Sequence, residues 1–191
     1  DISESTFTNA GGDKLWSNSA NWSNGVPNVS SAKVTLNDSI IIDSNVTVSQ
    51  IKLAGGFGSA MISSSNSSVL TLNGIGVSQI IQNNGTDVDL KFNLNVVLSS
   101  SETESIQTNG SGKSSITFGS LSDLTLKSTI KFAAQDNKSI NLNGILRGEG
   151  QFQIGALSRV NFGSSSNNKS FFGGFKFLGN NSLLEINTAK D

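Results

Sequence analysis

Carboxylates are the only general acid or base candidates in this sequence, because its 191 residues include no His, no Cys and no Tyr. That composition excludes Ser-His-Asp and Cys-His nucleophilic catalysis and any imidazole or thiolate metal site. Two carboxylate pairs stand out, Asp87 with Asp89 and Glu102 with Glu104. A separation of two residues puts both members on one face of a strand. A glycoside hydrolase needs two carboxyl groups facing one cleft, and calcium prefers such oxygen ligands. In the first pair Val88, Leu90 and Phe92 alternate with Asp87, Asp89 and Lys91, so the apolar set fills a core and the carboxylates point into solvent. A solvated outer face is the expectation for both pairs. Arg147 and Glu149 flank Gly148, with Arg159 a strand further on. A cation beside an acid is what a polysaccharide lyase uses to neutralise a uronate, but the expectation here is a surface ion pair of little energetic weight. The run Gly55-Gly56-Phe57-Gly58 precedes Ser59-Ala60 and lacks the cation of a phosphate loop, which argues against a nucleotide enzyme. No catalytic residue, metal site or cofactor is assigned.

The elements that carry these residues are short alternating phrases closed by Gly or Asn. Val69 to Gly74 reads Val-Leu-Thr-Leu-Asn-Gly, Ile140 to Gly144 reads Ile-Asn-Leu-Asn-Gly, and Phe175 to Gly179 reads Phe-Lys-Phe-Leu-Gly. Alternation places every second side chain on one face, so each phrase is a half-buried strand, and the Gly/Asn/Ser stretches between are turns. The cycle length is roughly 20 to 25 residues, as in solenoid coils that tolerate loop insertions. No window sustains a helical apolar period, so the fold class is all-β. Two architectures compete: a single-stranded parallel β-helix, or β-solenoid, and an antiparallel β-sandwich. Asn-Gly pairs at Asn24, Asn73, Asn84, Asn109 and Asn143 suit the hairpins of a sandwich. Very short, similar strands with uncharged Asn and Ser at their ends favour the β-solenoid, where like residues stack in ladders.

Residues 1–38 differ from the rest and are read as an N-terminal cap or exchanged segment, with residues 39–191 forming the solenoid rungs. The first segment holds Trp16, Trp22 and the only proline, Pro27. Large aromatic anchors at the start of a repetitive sheet suit a lid over the first rung's apolar surface. The alternative use of Trp16 and Trp22 is a glycan-binding platform, since flat aromatic faces suit sugar rings. At the other end, Phe171, Phe172, Phe175, Phe177, Leu183, Leu184 and Ile186 read as a terminal rung with no lid of its own. Such an end invites another subunit, with Ile2 and Phe7 in the opening segment as the donated strand, and head-to-tail contacts of that kind propagate into a filament. The expected partner is therefore a second copy joined end to end.

A formal charge of -1, with charged residues at 14%, gives no basic stripe for nucleic acid and no polybasic surface for lipid. No stretch reaches the length of a transmembrane helix, so no membrane insertion of this module is expected. Hydrophobic content is low at 35%, yet eleven Phe fall within the strand phrases and their turns, so the chain is read as folded rather than disordered. The opening Asp suggests a processed chain or an excised fragment, and secretion is the expected route.

The phrase Asn21-Trp22-Ser23-Asn24-Gly25-Val26-Pro27, followed by an alternating strand from Ala32 to Leu36 and later by Leu-Thr-Leu-Asn-Gly, resembles the start of bacterial extracellular parallel β-helix proteins such as autotransporter passenger domains and surface adhesins. The resemblance implies a right-handed parallel β-helix at the bacterial cell surface or released from it, and it supplies no catalytic residue. The resulting expectation is a non-enzymatic extracellular structural or adhesive module, with self-assembly into a surface fibre and a glycan or other cell-surface ligand in view. The alternative is a carbohydrate-binding module using Trp16 and Trp22, or a polysaccharide-degrading enzyme using Asp87, Asp89, Arg147 and Glu149.

Overall fold

A computed structural model describes residues 3–55, 58–134, 138–163 and 167–186. Strands follow one another in groups of three. Lys33–Leu36, Ile40–Ile42 and Val46–Val48 make the first turn, and Gln50–Leu53, Gly58–Ser64 and Val69–Leu72 the second. Gln79–Asn83, Val88–Asn93 and Asn95–Leu98 form the third, followed by Glu104–Thr108, Ser115–Phe118 and Asp123–Leu126. Two further turns lead to the last described strands, Phe175–Phe177 and Leu183–Ile186. Each strand pairs in parallel with its counterpart one turn away, giving sheets of eight, seven and six strands wrapped around one axis. The chain is a parallel β-solenoid. No antiparallel sandwich is present, and the Asn-Gly pairs at Asn73, Asn84, Asn109 and Asn143 serve as corners between sheets rather than as hairpin turns, while Asn24-Gly25 lies in the N-terminal segment.

Register explains why so polar a chain folds. In the seven-stranded sheet Ile40 lies beside Ile62, Ile62 beside Phe92, Phe92 beside Phe118, Phe118 beside Leu142 and Leu142 beside Phe162. These side chains all point inward and are buried in a single apolar column with those of the other two sheets. Phe92 and Phe118 stack with ring centroids 4.9 Å apart and planes 11° from parallel. Full burial of such a side chain contributes about 1.5–3 kcal/mol, so a strand of four residues needs only its two inward positions to be held. One-residue slippage would turn the whole inward set outward, which pins the register.

The outward positions are joined as well. Asp89 Oδ1 accepts from Thr117 Oγ1 at 2.8 Å, Thr117 Oγ1 accepts from Asn141 Nδ2 at 3.1 Å, and Asn141 Oδ1 accepts from Asn161 Nδ2 at 2.9 Å. This ladder climbs one face of the solenoid and uses the uncharged Asn and Thr that the sequence places at equivalent positions.

The N-terminal segment closes one end of the column. Glu4–Thr6 adds a parallel strand beside Lys33–Leu36, Phe7 bridges Trp22 and Leu15 bridges Ile41. Trp16 packs edge-on against Trp22 with centroids 4.8 Å apart, and Phe7 against Trp22 at 5.3 Å. Both indole N–H groups are used: Trp16 Nε1 donates to the Pro27 carbonyl at 2.9 Å and Trp22 Nε1 to the Trp16 carbonyl at 2.7 Å. Beneath them Asn21 is fully buried, donating to Asp13 Oδ1 and to the Leu15 carbonyl while accepting from Gly11 N–H. The N–H of Leu15 and the amides of Asn21 and Asn18 hold the Asp13 carboxyl below the usual range. The boundary read at residue 38 falls inside the first turn, since Lys33–Leu36 already pairs with Gln50–Leu53.

The last described strands, Phe175–Phe177 and Leu183–Ile186, lie at the opposite end. Phe177 continues the inward column of Ile154, and Ile186 that of Phe162, yet they are 52% and 67% exposed. Phe172, at 77%, is the most exposed large apolar side chain there.

Candidate functional site

Trp16 and Trp22 are 1% and 6% exposed, so neither ring offers a free face for a sugar, and the glycan-platform reading is corrected to that of a lid over the column. Phe7 is likewise buried within the cap and unavailable as a donated assembly residue, while Ile2 lies outside the described residues. Of the terminal set, Phe171, Phe175 and Leu184 pack against the core, and Phe172, Phe177, Leu183 and Ile186 are exposed.

The charged residues singled out from the sequence are dispersed. Asp87 sits in a turn at φ 51° and its Oδ1 accepts from Lys113 N–H at 2.7 Å. Asp89, on the next strand, accepts from Ser115 and Thr117 hydroxyls at 2.8 Å each. Val88, Leu90 and Phe92 are inward, as alternation predicts. Arg147 pairs with Asp123 of the preceding turn, Nε to Oδ2 at 2.8 Å, rather than with Glu149. Arg159 meets Glu185 of the following turn at 3.8 Å. The partners come from adjacent turns because a strand neighbour one turn away is closer than a residue two along the same strand. All four side chains remain substantially exposed, and such pairs are worth about 0–1 kcal/mol.

Glu104 departs from expectation. It is only 4% exposed, where a solvated outer face is the sequence reading, while Glu102 stays in the exposed turn before the strand. The phase is set by Ile106 and Thr108, both inward, and Glu104 shares their face. Its register partner on the next turn is Ile130, a core residue. On the preceding turn the pairing slips between Ser105 and Ile106, opposite Gln79 and Ile81, so Ile80 is an extra residue at the strand's start. A bulge of this kind redirects the chain locally, and here it buries both Ile80 and Ile81. Gly74, at φ +67°, leaves room for the Glu104 side chain: a Cβ there would come within 2.8 Å of Glu104 Cγ.

The result is a cleft of about 420 Å³ at one corner of the solenoid, between the turn Asn73–Ser78 and the turn Ser100–Glu104. Glu104 Oε1 accepts from the Ser100 hydroxyl at 3.2 Å, and Oε2 is buried without a partner. Ile75, 53% exposed, forms an apolar lip. Burial raises the Glu104 carboxyl above its ordinary range; the Ser100 hydrogen bond, next in weight, pulls the other way, and the nearby Glu102 charge adds a smaller upward push. The same geometry fixes a pH dependence. An acid whose folded-state value is raised contributes its full stability below the ordinary glutamate value, about pH 4, and loses it as pH rises through the elevated folded value. Glu104→Gln removes the titrating group, so in chelator its melting temperature exceeds that of the wild type at neutral pH, and the gap closes on acidification. Thermal melts from acid to neutral pH measure this; a gap constant across that range would contradict the assignment.

No protein-family model matches the chain, and no curated protein or solved structure matches it either. The cleft was missed in sequence because Gly74 and Glu104 lie a full turn apart along the chain. Asn73-Gly74-Ile75-Gly76 is its one local signal, a turn with two glycines at positive φ.

Proposed function

We propose that the chain is a non-enzymatic structural or adhesive β-solenoid module of an extracellular, bacterial-type surface protein, working through its length, its outer ladders and the exposed apolar residues of its last described strands. The observation that carries this reading is the continuity of the column: inward Ile, Leu, Val and Phe register from turn to turn, and the outward Asp89, Thr117, Asn141 and Asn161 bond to one another across turns. Repetition of this kind produces a stiff rod whose stability is a sum of neighbouring turns. Of the four residues of the enzymatic alternative, Asp87, Asp89 and Arg147 are occupied in contacts between turns and Glu149 is exposed.

Assembly follows from the difference between the two ends. The cap covers the first turn with Phe7, Trp16 and Trp22, whereas Phe177 and Ile186, on the last described strands, stand exposed. A second copy meeting the molecule through that same end forms a closed pair, since an isologous contact uses one patch on both partners. Sedimentation velocity across a concentration series tests this: the wild type forms dimers, and Phe177→Asp with Ile186→Asp, both at exposed positions, stays monomeric with an unchanged far-ultraviolet spectrum. A wild type that is monomeric at every concentration overturns the proposed pairing. Fibres in electron micrographs overturn the closed pair in favour of the head-to-tail filament expected from the sequence, because they would require the capped end to take part.

A further inference from the structure

We propose that the cleft between Asn73–Ser78 and Ser100–Glu104 is a divalent-cation site of low affinity, suited to calcium. Three features on its walls carry the assignment. Glu104 is 4% exposed and one of its carboxylate oxygens has no hydrogen-bond partner, so the group is held out of water with half its acceptor capacity unmet. A buried polar oxygen left in that state is costly unless a proton or a cation meets it. Glu102, on the turn that enters the same strand, brings a second carboxylate to the cleft, and two like charges at close quarters favour a cation between them. The other lining residues with side-chain oxygens are Asn73, Ser78, Ser100 and Ser101, all hard donors; Asn73 Oδ1 also accepts from Ile75 N–H and Ser100 Oγ from Glu102 N–H. Oxygen-only donor sets select calcium or magnesium over softer metals.

The architecture also supplies room. Gly74 and Gly76 bear no side chain, and about 420 Å³ leaves space for an ion that keeps several waters. Retained water matters because among the described residues no group of three acidic side chains converges. Two carboxylates with neutral oxygens and water place the site with weak extracellular calcium modules, at about 10⁻⁴–10⁻³ M. The flexible, high coordination number of calcium fits such an irregular set better than the near-ideal octahedron that magnesium demands. Gly74→Ala is incompatible with the site, since its methyl would displace the Glu104 side chain.

The test uses the full chain freed of metal with chelator, then titrated with calcium chloride while melting temperature and heat of binding are followed. Binding to the folded state stabilises it by RT ln(1 + c/Kd), with c the free calcium concentration, so the melting temperature keeps rising as calcium exceeds Kd. In the wild type the temperature rises through the millimolar range. Glu104→Gln abolishes the rise, and Glu102→Gln weakens apparent affinity by about 10-fold or more. Glu149→Gln, an exposed carboxylate on another turn, responds as the wild type does. Glu104→Gln keeps the size of the side chain, and its far-ultraviolet spectrum reports that the solenoid is intact. A wild type that does not respond to calcium overturns the site. So does an equal response in Glu104→Gln, or a magnesium response as large as that to calcium, which would mean general screening of negative charge.

Discussion

Phe118→Ala lowers the unfolding free energy by about 3–5 kcal/mol. Phe118 is 1% exposed, stacks on Phe92 of the turn before and sits in register with Leu142 of the turn after. Truncation empties a ring-sized space in a column whose neighbours are tied by backbone bonds on both sides, so collapse around the gap is limited and the cavity term is felt in full. Thr117→Ala, one residue away but outward, removes hydrogen bonds to Asp89 and Asn141 and costs about 0.5–1.5 kcal/mol per bond lost. Urea denaturation of the two variants compares them directly. An outward substitution as damaging as the inward one would mean that the ladder, and not the column, holds the turns together.

Trp16→Ala is expected to cost a similar amount, about 3–5 kcal/mol, with an added consequence. Trp16 is 1% exposed, lies edge-on to Trp22, and its indole N–H satisfies the Pro27 carbonyl. Its loss leaves that carbonyl unpaired and removes one of the two indoles of the lid over the first turn. Exposed strand edges and apolar faces template association, so the variant aggregates at concentrations where the wild type does not, a difference that light scattering measures. Trp22→Phe, which keeps a ring but loses the donor to the Trp16 carbonyl at 2.7 Å, falls between the two. A Trp16→Ala protein as stable and soluble as the wild type would show that the N-terminal segment is an appendage rather than a cap.

Much of this architecture is readable from alternation alone. Val69 to Leu72, Ile140 to Leu142 and Phe175 to Phe177 are strands in the structure, and Val88, Leu90 and Phe92 face inward as their spacing requires. Parallel pairing is legible more indirectly, through the stacking of similar short strands, because a sandwich would have used its Asn-Gly pairs as hairpins. The candidate site was not legible for a different reason. Glu104 looks solvent-facing beside Glu102, and its burial depends on a phase set by Ile106 and Thr108 downstream, on the extra residue Ile80 and on the empty position at Gly74. Each of those lies on a different part of the coil, and only the winding of the chain brings them together. Arg147 follows the same rule: its sequence neighbour Glu149 points elsewhere, and its partner Asp123 arrives from the preceding turn. Spacing within a strand assigns faces, whereas contacts between turns depend on loop lengths that vary along the chain.

The central claim is that successive strands stack in parallel and in register, one strand spacing per turn. Because the sequence has no cysteine, spin labels can be placed without background on the outward column of Met61, Lys91, Thr117, Asn141, Asn161 and Glu185. With one label at Met61 and the other at Asn141, Asn161 or Glu185, backbone separations of about 14, 19 and 24 Å follow from the inter-strand spacing. Pulsed dipolar spectroscopy should therefore report distances that lengthen by about 4.8 Å at each step. Distances that fail to grow in that order, or that shorten towards Glu185, would contradict the solenoid.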